Sequence, residues 1–222
     1  MFSARNLLFA TAFALTTAAA SHASAATEVY VQGVSEYTFT KGVVTGPGIY
    51  KEPDMTALNI AYNYGVGPGD PTFTAWGFCI DLFTGVEAPT QYHIAESGEL
   101  GSLFTAAQQS QIFGLAAFGA NLIKIGDADL ANKLAAVQGA IWAIEYPTLT
   151  VSANASIQPY LNAYIAAAPS MTGNAYVLLS DDGKSQGFVI GVPEPATWAM
   201  MIMGFGAVGM VLRSRRRLAL AA

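Results

Sequence analysis

The chain has one cysteine, Cys79, in the segment Phe78-Cys79-Ile80-Asp81. Exported proteins usually oxidise their cysteines in pairs, so one left over points to an intermolecular bridge or a reactive thiol. The alternative is a buried cysteine acting as a small apolar side chain. Gln138 lies in Val137-Gln138-Gly139-Ala140-Ile141-Trp142, with Leu134 and Trp142 four residues either side and Ile141 three beyond. On a helix its amide then borders an apolar stripe. A buried carboxamide there needs hydrogen-bond partners; the alternative is an amide turned to solvent. His93 is the only histidine outside the N-terminal segment that holds His22. A Cys79–His93 pair would mimic a cysteine protease, but no signature of one surrounds Cys79, and His93 reads as a loop residue. Asp127 with Asp129, and Asp181 with Asp182, lack the further ligands of a calcium loop. One Cys and one His make zinc a poor fit. The reading therefore calls for no metal, no cofactor and no enzymatic turnover.

The elements that must position these residues follow from pattern. Strands are expected over Glu28–Gln32, Glu36–Thr40, Thr56–Tyr62 and Thr72–Leu82, the last carrying Cys79. Thr45-Gly46-Pro47-Gly48 and the run from Gly65 to Pro71 are turn signals. Ala175–Leu179 and Gln186–Ile190 flank Asp181-Asp182-Gly183-Lys184 and read as a hairpin. Between them the period changes to that of helices. Thr105–Leu122 is one helix, and Gly126-Asp127 offers a stop and a new cap. Leu130, Leu134, Val137, Ile141 and Ile144 define a second, ending before Tyr146-Pro147. Ser156–Ala167 is a third, with Pro159 tolerated in its first turn. The fold class is α+β: an antiparallel sheet or sandwich with a helical insertion of about three helices.

With 53% hydrophobic and 11% charged residues, the chain is no disordered polar polymer. Much of the apolar excess lies at the ends. Arg5 precedes an apolar run from Leu7 to Ala20, closed by Ala23-Ser24-Ala25. This is the pattern of a secretory signal peptide, residues 1–25, cleaved after Ala25. The opposite end reads Pro193-Glu194-Pro195-Ala196-Thr197-Trp198-Ala199, then an uncharged stretch, then Arg213-Ser214-Arg215-Arg216-Arg217. Residues 196–212 are near the lower length limit for a transmembrane helix, and the arginines would stay cytoplasmic. Between the ends, residues 26–191 form one extracytoplasmic domain with five lysines, no arginine and fourteen acids. Such a surface is ill-suited to nucleic acid, which needs clustered cations.

Two resemblances rest on these residues. Pro193, Glu194, Pro195, Trp198 and Ala199, the short span and Arg213, Arg215, Arg216 and Arg217 resemble the PEP-CTERM sorting signal in its PEPxxWA form, over residues 192–217. That implies an exosortase-type protease as partner, a transient stay in the inner membrane with the C-terminus cytoplasmic, and release to the cell surface or an exopolysaccharide matrix. The middle domain resembles the thioester-domain adhesins, which carry an aromatic-Cys-aliphatic segment and a later Thr-Gln-x-Ala-aliphatic-Trp segment. By position Cys79 is the thiol and Gln138 the acyl donor of an internal thioester, with Phe78, Asp81, Ala140 and Trp142 supporting the motif; Val137 stands where that family has threonine. The resemblance implies a covalent adhesin or cross-linker whose thioester is attacked by an amine- or hydroxyl-bearing surface or matrix target. The alternative is a non-reactive structural or binding component of the matrix.

Overall fold

A computed structural model describes residues 28–38, 40–69 and 72–192. The expected signal peptide with Ala23 and Ala25, and the expected sorting residues from Pro193 to Arg217 with the membrane helix 196–212, lie outside the described residues. Among the described residues, no helix is long and apolar enough to cross a membrane.

Six strands form an antiparallel barrel: β1 (Glu28–Glu36), β4 (Leu58–Tyr64), β5 (Phe73–Cys79), β9 (Phe188–Val192), β8 (Asn174–Ser180) and β6 (Thr90–Ile94), in that spatial order. The expected sheet or sandwich is thus a closed barrel. Closure is made by β1 against β6, with Glu28 opposite His93 and Val31 opposite Thr90. Closing the sheet pairs both of its edges, which removes exposed strand hydrogen-bonding groups. β1 and β4 alternate as a barrel requires, with Val29, Val31, Leu58 and Ile60 buried, whereas β9, lying under α2, is buried from Phe188 through Gly191. A second, three-stranded sheet has the order β3 (Ile49–Lys51), β2 (Val43–Gly46), β7 (Thr150–Ser152).

The helices are α1 (Ser97–Leu103), α2 (Ala106–Ile125), α3 (Leu130–Glu145) and α4 (Gln158–Ala167), the last followed by a short 3-10 turn. Among the described residues four α-helices stand where about three were expected; α1, seven residues with two glycines, has too little periodicity to declare itself. Thr105 caps α2, its hydroxyl accepting from Gln108 N–H, and Gly126 ends it in the left-handed region at φ 66°. Asp127 then binds Lys133 Nζ at 2.6 Å across the α2–α3 turn.

Two glycines set the seam between helices and barrel. The Phe78 ring fills the space beside Gly119 of α2, and the α2 backbone at Ala116 lies against Gly191 of β9. A side chain at either point would hold α2 off the sheet. α3 packs beyond α2 and is buried from Leu134 through Trp142 without a break. The expected amphipathic stripe is therefore a helix enclosed on all sides over its central turns.

The expected strand Glu28–Gln32 runs on to Glu36 as β1, and of the expected strand Glu36–Thr40 only Glu36 lies in a strand among the described residues. The register of β1 against β4 shifts between Val31 and Gly33, leaving Gln32 in a bulge. Gln32 turns outward there and donates to Asn63 Oδ1 at 2.9 Å.

Candidate functional site

β5 runs between β4 and β9, but its two neighbours end at different points. Pairing with β4 stops at Gly77, opposite Leu58, whereas pairing with β9 continues to Cys79, opposite Phe188. Cys79 therefore reaches past the end of β4, with main-chain groups that no strand on that side satisfies. Such buried groups must find partners. Gln138 of α3 supplies them. Cys79 N–H donates to Gln138 Oε1 at 2.8 Å, and Gln138 Nε2 donates to Cys79 C=O at 2.8 Å. The side-chain amide thus completes the ladder as another strand would. Gln138 is fully buried and Cys79 is 7% exposed, so the alternative of a glutamine amide in solvent is corrected.

The thiol is in an environment that disfavours its charge. Burial pushes its pKa up, and the carboxylates of Glu36, Glu145 and Asp81 push it further; a hydrogen bond with the Gln186 side chain acts the other way. Burial also raises Glu145, to about 8, partly offset by a hydrogen bond from Tyr146 and reinforced by the charge of Asp81. Trp142 Nε1 and Glu145 Oε2 are buried without a hydrogen-bond partner. A cleft of about 270 Å³ reaches Cys79. Glu36, Asp54, Asp81, Trp142 and Gln186 share its lining with Cys79. Its wall is therefore rich in carboxylates.

Other residues expected at the site fall into supporting positions. Phe78 is fully buried on the opposite face of β5, under α2. Ala140 is fully buried and Trp142 is 3% exposed, both on α3. Asp81 shapes the chain after β5: its Oδ1 accepts from Phe83 N–H at 2.8 Å and Thr84 N–H at 3.2 Å. His93 is corrected from loop to strand β6. Its Nδ1 lies 2.7 Å from Asp181 Oδ1 and its Nε2 3.0 Å from Glu99 Oε1. Both ring nitrogens are taken, and neither faces the thiol. Asp182 accepts from Lys184 N–H at 3.0 Å within the β8–β9 turn. Glu145 and Gln186 were not expected at the site from the sequence. The first carried a usable signal, an acid two helical turns beyond Gln138 on the same face. The second stands in a connection between strands, where no periodicity singles it out.

Against known proteins, residues 191–217 match the PEP-CTERM protein-sorting motif. The sorting resemblance read from the sequence is therefore found. No curated protein matches the chain. Among solved structures, one similar fold is the N-terminal domain of the Streptococcus pyogenes pilus tip adhesin Cpa: 13% identity, TM-score 0.44, covering 75% of this chain and 99% of that one. A second is the N-terminal thioester domain of fibronectin-binding protein SfbI from Streptococcus pyogenes: 10% identity, TM-score 0.40, covering 75% of this chain and 98% of that one.

Proposed function

We propose that residues 26–191 form an exported surface domain that makes an internal thioester between Cys79 and Gln138 and spends it once on a covalent link to its target. The observation that carries this reading is the pair of hydrogen bonds, each 2.8 Å, between the Gln138 amide and the main chain of Cys79 itself. They hold the acyl group at the residue whose sulfur must attack it. Such positioning supplies effective molarities of order 10⁵ M or more. The Cys79 N–H also points at the oxygen on which negative charge grows as sulfur adds to the amide carbon.

The steps balance without a cofactor. The S–H bond of Cys79 and the Cδ–Nε2 bond of Gln138 break, the S–Cδ bond forms, and nitrogen leaves as ammonia with the thiol proton. Later an amine or hydroxyl of the target attacks Cδ, the S–Cδ bond breaks, and the thiol regains a proton. The products are an amide or ester to Gln138 and a free Cys79. Burial of both residues keeps bulk water from the bond in the interval. Because the acyl group stays on the target, the domain is used up and does not turn over.

Removal of residues 1–25, passage through the inner membrane and exosortase processing at the tail complete the reading; the sorting motif at residues 191–217 supports it. Intact-mass measurement of the exported chain tests the chemistry. The expected result is a deficit of one ammonia in wild type that is absent in Cys79→Ala, after allowing for the substitution. Methylamine should then add at Gln138. A wild-type mass with no deficit favours the second reading, a non-reactive matrix component in which Gln138 only completes the sheet. The pairing of both ends of its amide speaks for that role too.

A further inference from the structure

We propose that Gln186 is a thiol-positioning residue of this site, its carboxamide fixing the Cys79 sulfur at the cleft and donating a hydrogen bond to it as the sulfur takes on charge. This deepens the thioester reading and rests on it for its place in the reaction.

The placement comes from the barrel. Gln186 precedes β9 by two residues, and Phe188 at the start of β9 is the register partner of Cys79. Its main chain is pinned on both sides: N–H donates to Gly85 C=O at 3.0 Å, and C=O accepts from the Tyr92 hydroxyl at 3.1 Å. Tyr92 is itself fully buried and held by Ser185 Oγ at 2.6 Å. From that anchor Gln186, 8% exposed, lines the same cleft as Cys79.

The chemistry of the neighbours makes this placement distinctive. Glu36, Asp81 and Glu145 bear on the thiol and oppose a thiolate, and Asp54 lines the cleft beside them. Once ionised, which for Glu145 means above about pH 8, these carboxylates only accept hydrogen bonds. A carboxamide both accepts from S–H and donates N–H to sulfur, so it serves the thiol in either protonation state. Gln138 is not free for this, because both ends of its amide are engaged by the Cys79 main chain. One glutamine therefore holds the acyl group and another the sulfur. Gln186 itself gains and loses no atoms in the reaction.

The test uses the full chain treated with hydroxylamine, which opens any thioester and leaves Cys79 free in every sample. The rate of Cys79 alkylation by iodoacetamide is followed against pH, since it tracks the thiolate fraction. Gln186→Met and Gln186→Leu are expected to lower the rate about tenfold at each pH, as one unit of thiol pKa would. Gln186→Asn should recover part of the loss. A merely structural Gln186 predicts the opposite, faster alkylation as the packing loosens; unchanged or faster rates in both variants overturn the proposal. In untreated chains, ammonia loss should form more slowly in Gln186→Met than in wild type. If wild type loses no ammonia, the thioester reading falls while the alkylation result still decides the role of Gln186. Methylamine found on Gln186 instead of Gln138 would make it the acyl donor and overturn the assignment.

Discussion

Gln138 pairs both polar ends of its side-chain amide with the main chain of Cys79, N–H to Oε1 and Nε2 to C=O, each at 2.8 Å. A helix side chain thereby stands in for the strand that β4 does not extend far enough to provide. The bond joins α3 to the barrel at the one residue with a nucleophilic sulfur. Any chemistry between the two residues starts from a geometry that folding has already set.

That geometry predicts a stability cost distinct from any reactivity. Gln138→Leu keeps the volume but leaves the Cys79 N–H and C=O buried and unpaired. Each such group costs about 1–3 kcal/mol. Urea unfolding of the hydroxylamine-treated chain should show a loss of about 2–4 kcal/mol. A loss under half a kcal/mol would mean that the amide is no substitute strand.

The seam between α2 and the barrel gives a second prediction. A methyl group at Gly191 meets the backbone of α2 at Ala116, which cannot rotate away as a side chain could. Gly191→Ala should therefore destabilise by about 2 kcal/mol, the range for overpacked cores. Gly98→Ala serves as a control, because open space surrounds that position. Thermal melts of the two variants should separate clearly; equal melting temperatures would count against close packing at the seam.

How much of this was legible beforehand depended on local signals. The hairpin β8–β9 announced itself by Asp181-Asp182-Gly183-Lys184, whose Gly183 takes φ 66°. α2 carried a capping box and a glycine stop in its sequence. β6 did not show, because Thr90-Gln91-Tyr92-His93-Ile94 has only Tyr92 fully buried between polar neighbours. The β2–β3–β7 sheet did not show either, since strands of three or four residues are too short for alternation to be read. Barrel closure joins Glu28 to His93, a pairing that no local pattern encodes. At the site, Cys79 and Gln138 were recognisable by type and neighbours. Their bidentate bond was not, because it depends on where β4 starts. Nor was Gln186, which arrives through the register of β9.

The His93 bridge predicts a pH response in the region of α1. Burial alone would lower its pKa, but hydrogen bonds to Asp181 and Glu99 outweigh it and hold the imidazole above its usual value. A raised histidine contributes stability that is present below its unfolded pKa of about 6.5 and is lost as pH rises through the folded value. Glu99 Oε2 also accepts from Glu96 N–H at 2.8 Å at the start of α1. Amide exchange in residues 96–103, corrected for its intrinsic pH dependence, should accelerate as pH passes from 6 to 8. His93→Gln should abolish that dependence. Because the groups are partly exposed, the effect should shrink in high salt.

Glu145 makes the last and sharpest prediction. Burial holds its carboxyl up at about 8, so near neutral pH the folded chain keeps a proton that the unfolded chain releases at about 4.5. The folded state then binds more protons across that window, and stability must fall as pH rises from about 5 to 8. Glu145→Gln keeps the shape, removes the titration and should flatten this fall, so the variant gains on wild type as pH increases. The same change deletes one of the charges that push the Cys79 thiol up. Alkylation of Cys79 at pH 9 should therefore be faster in Glu145→Gln, the reverse of the effect of losing Gln186. The two readouts check each other: a variant that flattens the stability profile without quickening the thiol would place Glu145 too far from the sulfur to matter to it.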